Sequence, residues 1–242
     1  MSRIRRAESG MTLAEHLTEL RRRSMVILIS VSVIAVLGFI FYPHLLAILQ
    51  NPYCRASPSH CKFLVTNPLD GLNLRVKIAF FAGVVISSPV ILWETWRFIT
   101  PGLKARERRY AIPFVAASLV FFTAGMALAY VSFAQAIGWL KAIGGSTLLT
   151  EYNPNQYLTL FLLMLFIFGV AFLFPVILVA LELINVVTPA RLLRSWRYAI
   201  IIITLAAAIF TPSSDPLSML ALAAPLVVFY FLAIAVGKLL HK

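Results

Sequence analysis

Apolar residues in this chain gather into long blocks, and no other feature of the sequence narrows the possible folds so far. Six blocks run approximately over 24–42, 76–96, 111–140, 157–181, 198–210 and 217–236. A helix needs about 20 apolar residues to cross a hydrocarbon core. Within lipid every backbone donor and acceptor must be satisfied inside the segment, which a helix does and an open strand does not. The pattern therefore predicts an all-α, polytopic membrane protein with six transmembrane helices. Charged residues make up 12% of the chain, about half the share of a soluble domain. The fifth block covers only about two-thirds of a hydrocarbon core at 1.5 Å per residue.

The 21 lysines and arginines set the orientation. Sixteen lie in the amino-terminal segment, the second and fourth loops and the carboxyl-terminal tail, against five (Arg55, Lys62, Arg75, Lys77 and Lys141) in the alternate loops. The positive-inside rule then puts both termini in the cytoplasm, as an even number of spans requires. The expected organisation is a cytoplasmic segment with an interfacial helix over 1–23, a membrane domain over 24–236 and a cytoplasmic tail over 237–242. No cleavable signal peptide is expected, since residues 1–23 are polar and the apolar run behind them exceeds a signal's core. The net charge of +12 lies between apolar blocks, without the basic groove and interleaved aromatics of a nucleic-acid binder.

Little in the chain suits catalysis. His16, His44, His60 and His241 all fall outside the blocks, so no intramembrane serine–histidine pair can be assembled. Two cysteines are too few for a dithiol relay, and no phosphate-binding GxxxxGK[ST] loop is present. Neither an enzyme nor a cofactor is expected. None of the nine acidic residues sits at the middle of a block, whereas ion and proton pathways are marked by intramembrane acids. A proton- or ion-coupled carrier of small solutes is the rival functional class, and these acids give it weak support. Glu94 is expected to pair with Arg97 one turn on, and Glu182 to snorkel toward the interface or face a partner. Pro89, Pro113, Pro175 and Pro225 lie within blocks, where each removes a backbone donor and can bend its helix.

The cytoplasmic face is more informative. Thr12 and Glu15 have capping-box spacing, so a helix should begin at Leu13. Leu13, Leu17 and Leu20 then form an apolar stripe, with Glu15 and Glu19 on the opposite, watery face, open to pairing with Arg22 and Arg23. In the second cytoplasmic loop Glu107 stands among Lys104, Arg106, Arg108 and Arg109. Read alone, those cations neutralise it at the start of the third block.

Several runs resemble the TatC family of twin-arginine protein translocases. His16-Leu17-Thr18-Glu19-Leu20-Arg21-Arg22-Arg23 looks like its amino-terminal motif. Ser88-Pro89-Val90-Ile91-Leu92, Trp96, Phe98-Ile99-Thr100-Pro101-Gly102-Leu103 and Glu107-Arg108-Arg109 resemble its central signature. Phe168-Gly169-Val170-Ala171-Phe172 before Pro175, and Thr211-Pro212 before Asp215, continue the similarity in order along nearly the whole chain. The resemblance implies a receptor for folded proteins that carry a twin-arginine signal peptide, driven by the proton-motive force. It also implies partners of the TatA and TatB type, self-association in the complex and residence in the inner membrane. The implied signal-binding residues are Glu19, Glu107, Phe98 and Arg21, with Pro52 and Asp215 as further sensitive positions. Leu173 and Met219 stand where many members carry glutamate and glutamine, so the polar patch implied for a TatA-type subunit is missing.

Cys54 and Cys61 fall in the first outer loop, and in an oxidising compartment they are expected to form a disulfide. A metal site with His60 is the rival, although the spacing fits no standard zinc pattern.

Overall fold

The computed structural model describes residues 13–56, 67–99, 111–144, 153–184, 186–211 and 215–240. Its elements are ten helices: α1 (Leu13–Ile40), α2 (Tyr42–Ala56), α3 (Asp70–Ile86), α4 (Ser88–Ile99), α5 (Ala111–Gly144), α6 (Pro154–Ala171), α7 (Phe174–Leu183), α8 (Pro189–Arg194), α9 (Trp196–Phe210) and α10 (Pro216–Leu240). Helix α1 begins at Leu13 and continues unbroken into the first apolar block, so the interfacial helix and the first span are one rod.

Among the described residues four stretches are long and apolar enough to cross a membrane: Glu15–Ile40, Ala111–Trp139, Pro154–Leu183 and Pro216–Leu239. A fifth is reached when α3 and α4 count together. They meet at 52°, within the single block in which Pro89 can bend the helix. The cause is Pro89, which has no N–H for the carbonyl of Val85, so the ladder stops at Ser87. The fourth block breaks in the same way. Pro175 offers no hydrogen to Ala171, and Leu173 N–H bonds one residue tighter, to Val170 O at 3.0 Å. Pro113 sits in the first turn of α5, where its missing donor costs little, and α10 runs through Pro225. Helix α9 has 15 residues, about 22 Å of rise, and is as short as its block implied.

Helix α2 follows the first apolar block, where the block pattern predicts no element. Its residues are too few to span, but Leu45, Leu46, Leu49 and Tyr53 recur at helical spacing, and Pro43 occupies the favoured first turn. Leu49 and Tyr53 are buried. Tyr53, Phe133, Tyr157 and Phe161 form an aromatic cluster, with Phe133 stacked on Phe161 at 4.5 Å between centroids and Tyr53 edge-on to Tyr157 at 5.4 Å. The cluster fastens α2 across α5 and α6.

Three glycines mark close helix approaches. A Cβ on Gly83 of α3 would stand 2.8 Å from the Val31 carbonyl oxygen of α1. One on Gly125 of α5 would stand 2.5 Å from the Phe168 carbonyl oxygen of α6, and one on Gly169 would stand 2.8 Å from the Phe122 ring. Lipid supplies no hydrophobic drive between helices, so close backbone contact at small residues carries the association.

Candidate functional site

The acid of the amino-terminal motif and the aromatic of the central signature meet where α1 crosses α4. Glu19 is not the solvated acid its helical register suggested. Its side chain is 22% exposed and pairs with Arg23 one turn on. Arg23 also donates from Nη1 to the Glu94 carbonyl oxygen at 3.2 Å, which pins α4 to α1. A register of four explains the first contact. The second is tertiary, so periodicity alone could not reveal it. Leu17 and Leu20, read as a stripe, are instead exposed.

Three turns of α4 bring Phe98 beside the start of α1. Its ring stacks on His16 with centroids 4.4 Å apart and planes 26° off parallel. Glu19, Arg22, Arg23, Val26, Glu94 and Arg97 line a cavity of about 190 Å³ between the two helices. Glu94 contributes its carbonyl here; the expected ion pair with Arg97 does not form. One Glu19 oxygen takes the Arg23 bond, and the other, Oε2, is buried without a hydrogen-bond partner among the described residues. A buried carboxylate oxygen with an open lone pair favours a cationic donor. Arg21 is exposed on the neighbouring surface. Glu107 lies outside the described residues.

The α4 platform is held from behind. Trp96 donates from Nε1 to Ser118 Oγ at 2.8 Å and stacks on Phe114 at 4.9 Å. Both contacts tie α4 to α5 and fix the height at which Phe98 emerges.

The remaining sequence-derived positions lie away from this cavity. Pro52 is fully buried inside α2. Asp215 is buried and caps α10, with Oδ2 accepting from Ser218 N–H at 2.7 Å. Aspartate three residues before serine at a helix start is a capping arrangement, so the architecture accounts for Asp215. Leu173 and Met219 are half-buried among apolar neighbours. Cys54 is disulfide-bonded, and Cys61 lies outside the described residues. Glu182 does not snorkel. It is 1% exposed, and its Oε2 sits 2.0 Å from where a Cβ on Gly237 would be, so α10 needs glycine there to admit the carboxylate.

The described residues hold no cluster of three or more histidine, cysteine or acidic side chains able to bind a metal. The site offers charge, an aromatic platform and a cleft, which suit recognition of a cationic segment.

The family model described as Sec-independent protein translocase protein (TatC) matches residues 15–225. The chain is 40% identical to the Sec-independent protein translocase protein TatC of Frankia casuarinae, over 96% of this chain and 67% of that protein. It is 35% identical to the corresponding protein of Xylanimonas cellulosilytica, over 94% and 83% of the two chains. A crystal structure of the twin-arginine translocase receptor TatC superposes with a TM-score of 0.79 at 31% identity, covering 92% of this chain and 99% of that one.

Proposed function

The chain belongs to the TatC family, and from that premise we propose that it is the receptor and core subunit of a twin-arginine translocase. On this reading it binds the paired arginines of signal peptides on folded cargo at the α1–α4 cleft. The observation that carries the assignment is the Glu19 carboxylate, fixed by Arg23, with Oε2 buried and open beside the Phe98–His16 stack.

An exposed arginine–carboxylate pair is worth about 0–1 kcal/mol, too little for a selective receptor. Partial burial raises a charge-assisted bond to roughly 1.5–3 kcal/mol. Glu19, in a cleft and mostly shielded, belongs to the second regime. Glu107, from the following loop, is the second acceptor in this proposal, and Phe98 offers a face on which a guanidinium can stack. The signal's apolar stretch would add affinity by burying against helices, at about 25 cal/mol per Å². Partners of the TatA and TatB type, self-association and drive by the proton-motive force follow from family membership.

Binding of an Arg-Arg signal peptide to the purified protein tests the reading. A Gln-Gln version should lose most affinity. A Lys-Lys version should fall between them, because lysine carries the charge without the planar fork. Equal binding of all three peptides would refute recognition of the pair.

The reading includes six spans in the cytoplasmic membrane with both termini inside, α9 forming the short fifth crossing. Single cysteines at positions 104 and 152, in a variant without the native pair, report this with a membrane-impermeant thiol reagent on intact cells. Labelling at 152 alone is the expected outcome; labelling at 104 alone reverses the topology.

A further inference from the structure

We propose that the groove between α3 and α6 is a binding site for an anionic phospholipid, with an acyl chain along Phe80, Val84, Leu163 and Phe166 and the phosphate on the Lys77 ammonium. The site lies apart from the α1–α4 cleft, and the inference does not rest on signal recognition.

Lys77 opens the groove. Its Nζ donates to Asn155 Oδ1 at 2.6 Å and to Thr159 Oγ1 at 2.8 Å. Both acceptors are neutral, and among the described residues no carboxylate forms an ion pair with it. Asp70, which shares Asn155 with Lys77, is already engaged: Asn153 and Asn155 donate to its oxygens at 3.2 and 3.3 Å. Asn155 thus separates the two charges, holding the carboxylate with its amide nitrogen and the ammonium with its oxygen. A third ammonium hydrogen remains for an external acceptor. An ammonium held at the edge of an apolar span without a counter-charge is costly in lipid, and the anion available at that height is a lipid phosphate.

Below Lys77 the groove is apolar, about 400 Å³ in volume, and lined by α3 and α6. From Lys77 to Val84 it runs two helical turns. Charge complementarity selects the occupant: an anionic headgroup with an attached chain matches an ammonium above an apolar groove. A flexible acyl chain can lie along it, with the rest of its length in the surrounding bilayer. Lys77 lies about 10 Å of helical rise from the start of α3, which suits a headgroup contact above a chain directed into the span.

Native mass spectrometry of the full chain in detergent, titrated with phosphatidylglycerol or with phosphatidylcholine of the same acyl chains, tests this. The wild type should bind phosphatidylglycerol about fivefold more tightly, the worth of one cation near an anionic headgroup. Lys77→Gln should abolish the preference, and Lys77→Arg should retain it. Leu163→Trp, which fills the groove from its exposed edge, should weaken both lipids and keeps the test open if Lys77→Gln fails to fold. Lys238→Gln, at an exposed site on α10, should change nothing. Equal binding of the two lipids by the wild type would overturn the proposal, as would a preference that survives Lys77→Gln. An equal loss in Lys238→Gln would reduce the effect to general surface charge and also overturn it. If a partner's helix fills the groove instead, the isolated chain shows no headgroup preference, which is the first of these contrary results.

Discussion

Glu19→Gln should weaken binding of an Arg-Arg signal peptide by about ten- to a hundredfold, which corresponds to the roughly 1.5–3 kcal/mol of one charge-assisted bond. Glutamine keeps the size and one acceptor oxygen but removes the charge. Glu19→Lys should be worse, since it adds a cation to a cleft already lined by Arg22, Arg23 and Arg97. That setting gives the effect its size: without Glu19 the cleft repels an arginine pair. Arg23 would lose its side-chain partner in either variant but keep its bond to the Glu94 carbonyl, so the α1–α4 crossing should survive. Glu15→Gln is the internal control, one turn earlier on α1 and exposed. Binding of labelled peptide to the purified variants reads the outcome. A loss in Glu15→Gln as large as that in Glu19→Gln would assign the effect to surface charge in general.

The sequence revealed the membrane class because burying backbone in lipid leaves so few solutions, and blocks of this length report helices directly. It placed α1 from Leu13 onward, the first described residue, by its capping-box spacing. It marked Pro89 as a place where the second block could bend without saying whether it does, and it did not reveal helix α2. Pro89 permits a bend without requiring one, and neighbouring helices decide which occurs. The α2 stripe becomes meaningful only against the α5–α6 surface that buries Tyr53. At the site, Glu19 was identified through its motif and Arg23 through its register. The bond from Arg23 to α4 and the stacking of Phe98 on His16 join residues about 70 to 80 positions apart, and no local pattern encodes them. Glu182 is the instructive failure. An acid near a span end ordinarily reaches for the interface, yet here Gly237 opens a notch in α10 that admits its carboxylate.

Gly125→Ala should be among the most destabilising single-methyl changes in the molecule. The added Cβ would sit 2.5 Å from the Phe168 carbonyl oxygen and 2.9 Å from the Phe172 Cβ. The first of these neighbours is backbone, which cannot rotate away, so α5 and α6 must move apart. Overpacking of this kind costs about 1–3 kcal/mol, occasionally more, and here it would also loosen the aromatic cluster that holds α2. Gly138→Ala on the same helix is the matched control, because nothing lies within 4 Å of its added Cβ. Alanine's helix propensity should leave that variant unchanged or more stable by up to about 1 kcal/mol. Thermal unfolding of the purified proteins in detergent reads both, with a clear fall in midpoint expected for Gly125→Ala alone. Equal midpoints for the two variants would contradict a close α5–α6 crossing.

The most direct test of the central claim is a double-mutant cycle between Glu19 and the arginines of the signal. Peptide affinities are measured for wild type and Glu19→Gln, each against Arg-Arg, Arg-Gln and Gln-Arg signals, and the cycle is repeated with Glu15→Gln. The account predicts a coupling of about 1.5–3 kcal/mol between Glu19 and one arginine, with none to Glu15. Coupling within about 0.3–0.5 kcal/mol of zero for both arginines, the range of independent sites, would contradict it.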